Sequence, residues 1–207
     1  MTIKIKICGI TNIEDALNAS LLGADALGFV FVGKSPRYIT PLNTSIIIDA
    51  LPPFISKVGL FVNPSKEEVE DAIRVAKFDL LQFHGDENEE FCNQFNLPYI
   101  KAFSVKSEVN LVEYETNYNS ASALLLDTYS EKARGGTGTT FDWNLIPAEE
   151  SKPLIIAGGL NNENITDLLR HTTPYAVDVS GGVEVLKGKK DYKKMKNFIL
   201  GVRNATL

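Results

Sequence analysis

The stretch Lys4-Ile5-Lys6-Ile7-Cys8-Gly9-Ile10-Thr11 decides the fold. Polar and apolar residues alternate from Lys4 to Ile7 with period two, the pattern of a half-buried strand. The strand ends on Cys8 and Gly9, and Thr11 and Glu14 then stand at capping-box spacing, which predicts a helix start. Cys8 is therefore expected at the C-terminal tip of a strand, just ahead of a helix. In a closed barrel of parallel strands, chemistry is done at that rim.

The same unit recurs along the chain. Residues 3–8, 26–31, 57–62, 80–83, 98–103, 123–127, 153–157 and 176–179 read as strands, repeating at intervals of roughly 20–30 residues. Helices are predicted over 13–22, 41–51, 65–76, 88–95, 162–170 and 192–202. The first has its apolar positions at Ile13, Ala16, Leu17 and Leu21. A weakly periodic helix is read in 107–118, and a short one near Trp143 after a polar loop over 128–140. Alternating strands and helices imply a parallel sheet with right-handed crossovers. Eight units predict an α/β fold of the (β/α)8 TIM-barrel type, and 207 residues lie near its short end. No Gly-, Pro- or Ser-rich linker divides the chain, so residues 1–207 read as one barrel domain.

Composition narrows the function. The net charge of −5 argues against a nucleic-acid binder, and an anionic substrate would need local cations or backbone N–H groups. Two cysteines and two histidines argue against a disulfide framework and a protein-ligated metal, and no cofactor is expected. There is no signal-peptide pattern and no apolar run long enough for a membrane span, so no membrane partner is expected and a reducing cytoplasm is the simplest compartment. A monomer is the simplest assembly. The run Lys187, Lys189, Lys190, Lys193, Lys194 and Lys196 reads as a solvated face.

The strand tips supply the candidate site. They are Cys8, then Lys34-Ser35-Pro36-Arg37, then Gln82 with His84-Gly85. Asp127 follows, with Gly135-Gly136-Thr137-Gly138 beyond it. Gly158-Gly159 comes after strand seven, and Asp178, Ser180 and Gly181-Gly182 after strand eight. Glycine pairs after the last two strands suit a phosphate clamp, since backbone N–H groups can approach an anion and a helix N-terminus adds its dipole; ordinary tight turns are the alternative. Cys8 is either a small buried hydrophobe or a reactive thiol. Asp127 ends the run Ala123-Leu124-Leu125-Leu126 and is either a turn residue or a partly desolvated acid with a raised pKa. Arg37, stiffened by Pro36, suits a carboxylate through its fork of donors. His84 is a rim residue or a catalyst. A thiol base and a carboxylic acid would move protons on a sugar without metal or redox help. Isomerase, epimerase and lyase all remain open on these residues alone.

At these positions the chain resembles the phosphoribosylanthranilate isomerase family of tryptophan biosynthesis. The resemblance runs through Lys6-Ile7-Cys8-Gly9-Ile10-Thr11, Gly28-Phe29-Val30-Phe31, Ser35-Pro36-Arg37-Tyr38 and Val58-Gly59-Leu60-Phe61-Val62-Asn63. It continues through Gln82-Phe83-His84-Gly85, Leu125-Leu126-Asp127-Thr128, Gly135-Gly136-Thr137-Gly138 and Phe141-Asp142-Trp143. Ala157-Gly158-Gly159-Leu160 and Val177-Asp178-Val179-Ser180-Gly181-Gly182-Val183-Glu184 complete it. The resemblance implies an Amadori rearrangement of N-(5-phosphoribosyl)anthranilate to a 1-deoxyribulose 5-phosphate. By the same resemblance Asp127 is the general acid and Cys8 the general base, Arg37 holds the anthranilate carboxylate, Asp178 touches the substrate, and the two glycine loops with Ser180 hold the phosphate. Phe83 stands where the family usually has Leu, an exchange expected to reshape the wall beside the pocket. Gly181 replaces the second of two serines, leaving its N–H for the phosphate. An indole-glycerol-phosphate synthase would want a lysine on a barrel strand, which the tips do not offer, and a ribulose-phosphate epimerase would want metal ligands. A non-catalytic phosphosugar-binding barrel is the alternative from another class, and retention of both Cys8 and Asp127 argues against it.

Overall fold

A computed structural model describes residues 2–105, 110–128, 142–143, 146 and 151–205. Strand β1 (Lys4–Cys8) pairs with β2 (Ala26–Val30) on one side and β8 (Ala176–Val179) on the other. Between them run β3 (Ser56–Phe61), β4 (Leu80–Phe83), β5 (Tyr99–Val105), β6 (Ala123–Thr128) and β7 (Leu154–Ile156). All pairings are parallel and in sequence order, and the β1–β8 pairing closes the barrel. Around it lie α1 (Ile13–Leu22), α2 (Pro41–Asp49), α3 (Lys66–Ala76), α4 (Glu89–Asn93), α5 (Leu111–Asn117), α6 (Ile165–His171) and α7 (Tyr192–Ala205).

Closure changes the meaning of the period-two pattern in β1. A barrel strand is buried on both faces, so β1 is covered from Ile5 to Cys8 instead of half-buried. Ile5 and Ile7 turn outward into the layer beneath the helices, with Ala16, Ala19, Met195 and Phe198. Lys6, one position out of phase with them, lies on the opposite face of the strand and is buried. Deeper in the barrel Ile100, Ala102, Ala123, Leu125, Ile155, Ala157 and Ala176 form an apolar filling. At the rim Cys8 packs with Val30 and Leu60.

The first helix differs from expectation in its cap and its face. Asn12, not Thr11, is the N-cap: its side-chain oxygen accepts from Asp15 N at 2.8 Å. Thr11 instead donates its hydroxyl to Gly188 O. The buried face of α1 is Asp15, Ala16 and Ala19, while Ile13, Leu17 and Leu21 are exposed. Two alanines let the helix lie close, and Asp15 is buried because its Oδ2 accepts from Lys190 N at 2.8 Å. Helix α3 has the capping box expected of its sequence type, Ser65 with Glu68.

Other limits moved by a few residues, as helix ends do. Helix α2 stops at Asp49, α4 is confined to Glu89–Asn93, α5 starts at Leu111, and α6 starts at Ile165. The expected start at 107, the loop segment 129–141 with Gly135-Gly136-Thr137-Gly138, and most of the helix near Trp143 lie outside the described residues. Strand eight is followed by a hairpin, β9 (Glu184–Leu186) and β10 (Lys189–Lys190), which the sequence reading lacked. The hairpin takes Lys190 out of the supposed solvated run and buries it. Phe83 is also fully buried, but among Phe61, Phe91, Phe95 and Tyr99. It therefore fills the layer beneath the helices and forms no wall of the pocket.

Candidate active site

The C-terminal strand tips surround a cavity of about 850 Å³. Cys8, Arg37, His84, Asp127, Gly158, Gly159, Asp178, Ser180, Gly181 and Gly182 all line it. These ten candidates from the strand tips are thus brought to one place, while Gly135-Gly136-Thr137-Gly138 lies outside the described residues. Val30, Val32, Leu60 and Val62 add an apolar wall on the β2–β3 side.

Cys8 reaches this cavity because its neighbour on β2 is glycine. A Cβ on Gly28 would stand 2.7 Å from Cys8 Sγ, so no larger residue fits without moving the sulfur. Burial pushes the Cys8 thiol up, Lys6 pulls it down, Asp178 pushes it up and Lys190 pulls it down; the net direction is upward. The thiol form is favoured at rest.

Lys6 is the nearest of these groups along the chain and was not among the sequence candidates. It is a cross-strand partner of Asp178 in the β1–β8 register. Their side chains form a buried ion pair, Nζ to Oδ2 at 2.8 Å. Burial opposes the Lys6 charge, but Asp178 and Cys8 together hold its pKa above the usual value. A buried lysine on a barrel strand therefore exists below the tips, and Lys101 on β5 is a second buried one, paired with Glu87 at 2.8 Å. Alternation marked Lys6 as out of phase with the isoleucines, but only closure of the barrel shows that this phase points inward.

Asp127 is the penultimate residue of β6 and lies inside the rim. Its Oδ1 accepts from Thr128 N at 2.8 Å. Its Oδ2 lies 3.1 Å from His84 Nε2, close enough for an ion pair but poorly aligned for a hydrogen bond. Gln82 Nε2 is 3.0 Å from His84 Nδ1. With the amide donating there, a neutral ring carries its proton on Nε2, facing Asp127. The turn beyond His84 is fixed from below: Lys101 donates to Gly85 O at 2.7 Å, and Glu87 accepts from Gly85 N at 2.9 Å and Asn63 N at 2.7 Å.

Arg37 is held edge-on by Glu184. Nε donates to Oε1 at 2.7 Å and Nη2 to Oε2 at 2.8 Å. This bidentate pair uses one edge of the guanidinium; the chemistry of the group leaves its other edge able to take a second carboxylate. Glu184 raises the Arg37 pKa, and Glu184 is itself held low by Arg37 and Lys190 in spite of its burial. Lys190 ties this clamp to the rest of the rim, donating to Glu184 Oε1 at 2.8 Å, Cys8 O at 2.6 Å and Ser180 O at 3.2 Å.

The glycine loops approach each other on the β7–β8 side. Gly158 and Gly159 have φ of 86° and 65°, and a Cβ on Gly158 would stand 2.7 Å from Asp127 Oδ1. Asn161 bridges to Gly182, where a Cβ would strike Leu160 O. After Gly181-Gly182 the chain enters the β9–β10 hairpin, so the helix dipole expected directly behind this pair is not there. Ser180 Oγ and Asp178 Oδ1 are buried and without a hydrogen-bond partner among the described residues. Both line the cavity, and a polar ligand would supply what they lack.

Comparison with known proteins agrees with this geometry. The family model for N-(5'phosphoribosyl)anthranilate (PRA) isomerase matches residues 5–200. An N-(5'-phosphoribosyl)anthranilate isomerase of Pseudomonas fluorescens is 55% identical over 201 residues, covering 97% of this chain and 98% of the relative. One from Nitrosospira multiformis is 52% identical over 202 residues, covering 98% and 97%. The crystal structure of phosphoribosyl anthranilate isomerase from Thermotoga maritima superposes with a TM-score of 0.90 at 41% identity, covering 98% of this chain and all of that one. Another solved isomerase, in complex with reduced 1-(o-carboxyphenylamino)-1-deoxyribulose 5-phosphate, gives a TM-score of 0.82 at 38% identity, covering 98% and 100%. With strand order, rim residues and full-length identity in agreement, the chain belongs to the N-(5'-phosphoribosyl)anthranilate isomerase family.

Proposed function

We propose that the cavity performs the isomerisation of N-(5-phosphoribosyl)anthranilate to 1-(2-carboxyphenylamino)-1-deoxyribulose 5-phosphate, with Asp127 as acid and Cys8 as base. The observation that carries this reading is that both residues reach one cavity between an arginine clamp and paired glycine loops. Asp127 protonates the furanose ring oxygen. The C1′–O bond breaks as the nitrogen lone pair forms an iminium. The Cys8 thiolate then removes the C2′ proton, and the C–H electrons flow into the iminium to give an enolamine that tautomerises to the ketone. His84 faces Asp127 at 3.1 Å and steadies the carboxylate left once the proton has been given up.

The remaining contacts follow from shape and charge. The free edge of Arg37 takes the anthranilate carboxylate, and the valine and leucine wall takes its ring. The phosphate sits on N–H groups of the 158–159 and 181–182 loops with the Ser180 hydroxyl. Asp178 Oδ1 accepts from a sugar hydroxyl. The scheme needs no organic or metal cofactor, since Asp127 and Cys8 move both protons. Both cysteines are free thiols, and a free thiol used as a base suits a reducing cytosol.

The direct test is turnover. Freshly generated phosphoribosylanthranilate should lose its anthranilate fluorescence on addition of the purified protein. Binding of a reduced product analogue without loss of fluorescence would identify a binding barrel instead.

A further inference from the structure

Lys6 lies in a part of the barrel that packing alone would fill with aliphatic side chains. The filling of the barrel interior is otherwise apolar, built from Ile100, Leu125, Ile155 and small residues. A buried ion pair in such a place repays little as stability, since burial of two charges offsets their attraction. Its position relative to the reacting sulfur is specific. Lys6 and Cys8 are two residues apart on one strand, so both side chains stand on the inner face. Both are at least 95% buried, by 4% and 5% exposure. Asp178 faces Lys6 from β8 in direct register, and its Oδ1 has no hydrogen-bond partner among the described residues.

We propose that Lys6 is the electrostatic partner of the base, its buried ammonium stabilising the Cys8 thiolate while Asp178 holds the ammonium in place. This rests on the assignment of Cys8 as base. It meets a difficulty of the mechanism, since a buried thiol resists ionisation and the base must be a thiolate. The charged groups around Cys8 among the described residues are Lys6 on its own strand, Asp178 on β8, Lys190 on β10 and Arg37 beyond β2. Lys6 and Lys190 favour the thiolate and Asp178 opposes it. Lys190 already spends its donors on Cys8 O, Ser180 O and Glu184, whereas among the described residues Lys6 donates to Asp178 Oδ2 alone of the oxygens.

The test reads the thiol itself. In a Cys92→Ser background, the rate of iodoacetamide alkylation of Cys8 is followed against pH, alongside the acidic limb of kcat/KM. Lys6→Met should move both midpoints upward, slowing alkylation on the acidic side by ~10-fold or more. Lys6→Arg, which keeps the charge, should restore both. If Lys6→Met does not fold, Lys6→Gln, neutral but still able to hydrogen-bond Asp178, takes its place and should move both midpoints upward as well. Midpoints unmoved in the neutral variant, or not brought back by Lys6→Arg, would overturn the proposal. A Cys8→Ser enzyme of normal kcat would instead overturn the base assignment while leaving the alkylation result standing.

Discussion

Arg37 and Glu184 meet through two parallel hydrogen bonds, Nε to Oε1 at 2.7 Å and Nη2 to Oε2 at 2.8 Å, across a sequence separation of 147 residues. The loop after β2 is thereby joined to the hairpin after β8. The clamp is aimed by a carboxylate that is itself gripped by Lys190. Arg37→Ala should lower kcat/KM by about 100-fold, the scale of a lost charge-assisted contact. Arg37→Lys should recover only part, because an ammonium cannot hold Glu184 bidentately and offer a second edge. Glu184→Gln should raise KM more than it lowers kcat. Steady-state kinetics on the three variants check this, and an Arg37→Lys enzyme with normal KM would contradict it.

Gly28 is the room into which the Cys8 sulfur fits. Gly28→Ala should cost ~1–3 kcal/mol of stability through overpacking and should also lower kcat by displacing the sulfur. Gly59→Ala is the comparison, since a Cβ there would meet the ring of Phe78 at 3.0 Å, away from the cavity. It should lower Tm while leaving kcat within about twofold. Parallel Tm and kcat measurements separate the two effects.

The other cysteine and a buried tyrosine give the protein an alkaline limit. Burial pushes Cys92 from 9.0 up to about 12 and Tyr99 from 10.0 up to about 12. A raised pKa favours the protonated form in the folded state. The stabilisation is therefore present below the ordinary values and is lost as pH climbs from about 9 toward 12. Urea midpoints should fall over that window, and the fall should be shallower in Tyr99→Phe. Cys92 should also stay inert to alkylation at pH 8, where Cys8 reacts.

Much of this was legible in the chain because local and global signals agree at the strand tips. Cys8, Asp127 and the two glycine pairs each stand at or just beyond the end of a strand pattern, and a closed barrel gathers such ends at one rim. What was hidden depends on closure. Lys6 reads as the solvent side of an alternating strand, and only the pairing of β1 with β8 gives it Asp178 as a partner. Lys190 reads as one of six lysines in a solvated run, and only the β9–β10 hairpin turns it under Cys8. Thr11 and Asn12 are both good caps, and the choice between them was made by Gly188, far away in sequence, which takes the Thr11 hydroxyl. On α1 the barrel accepts alanines at close approach and leaves the larger apolar side chains outside, which apolar spacing alone does not show.

The central claim is that Asp127 and Cys8 act as one acid–base relay, and the kcat of Cys8→Ser, Asp127→Asn and the double variant tests it most directly. The loss of anthranilate fluorescence is followed at saturating substrate, with product-analogue affinity measured beside it. Each single variant should lose ~1,000-fold or more in kcat while binding changes by less than about tenfold, and the double variant should fall little further than the worse single one. Either single variant retaining most of its activity, or a double variant that loses the product of both effects, would contradict the account.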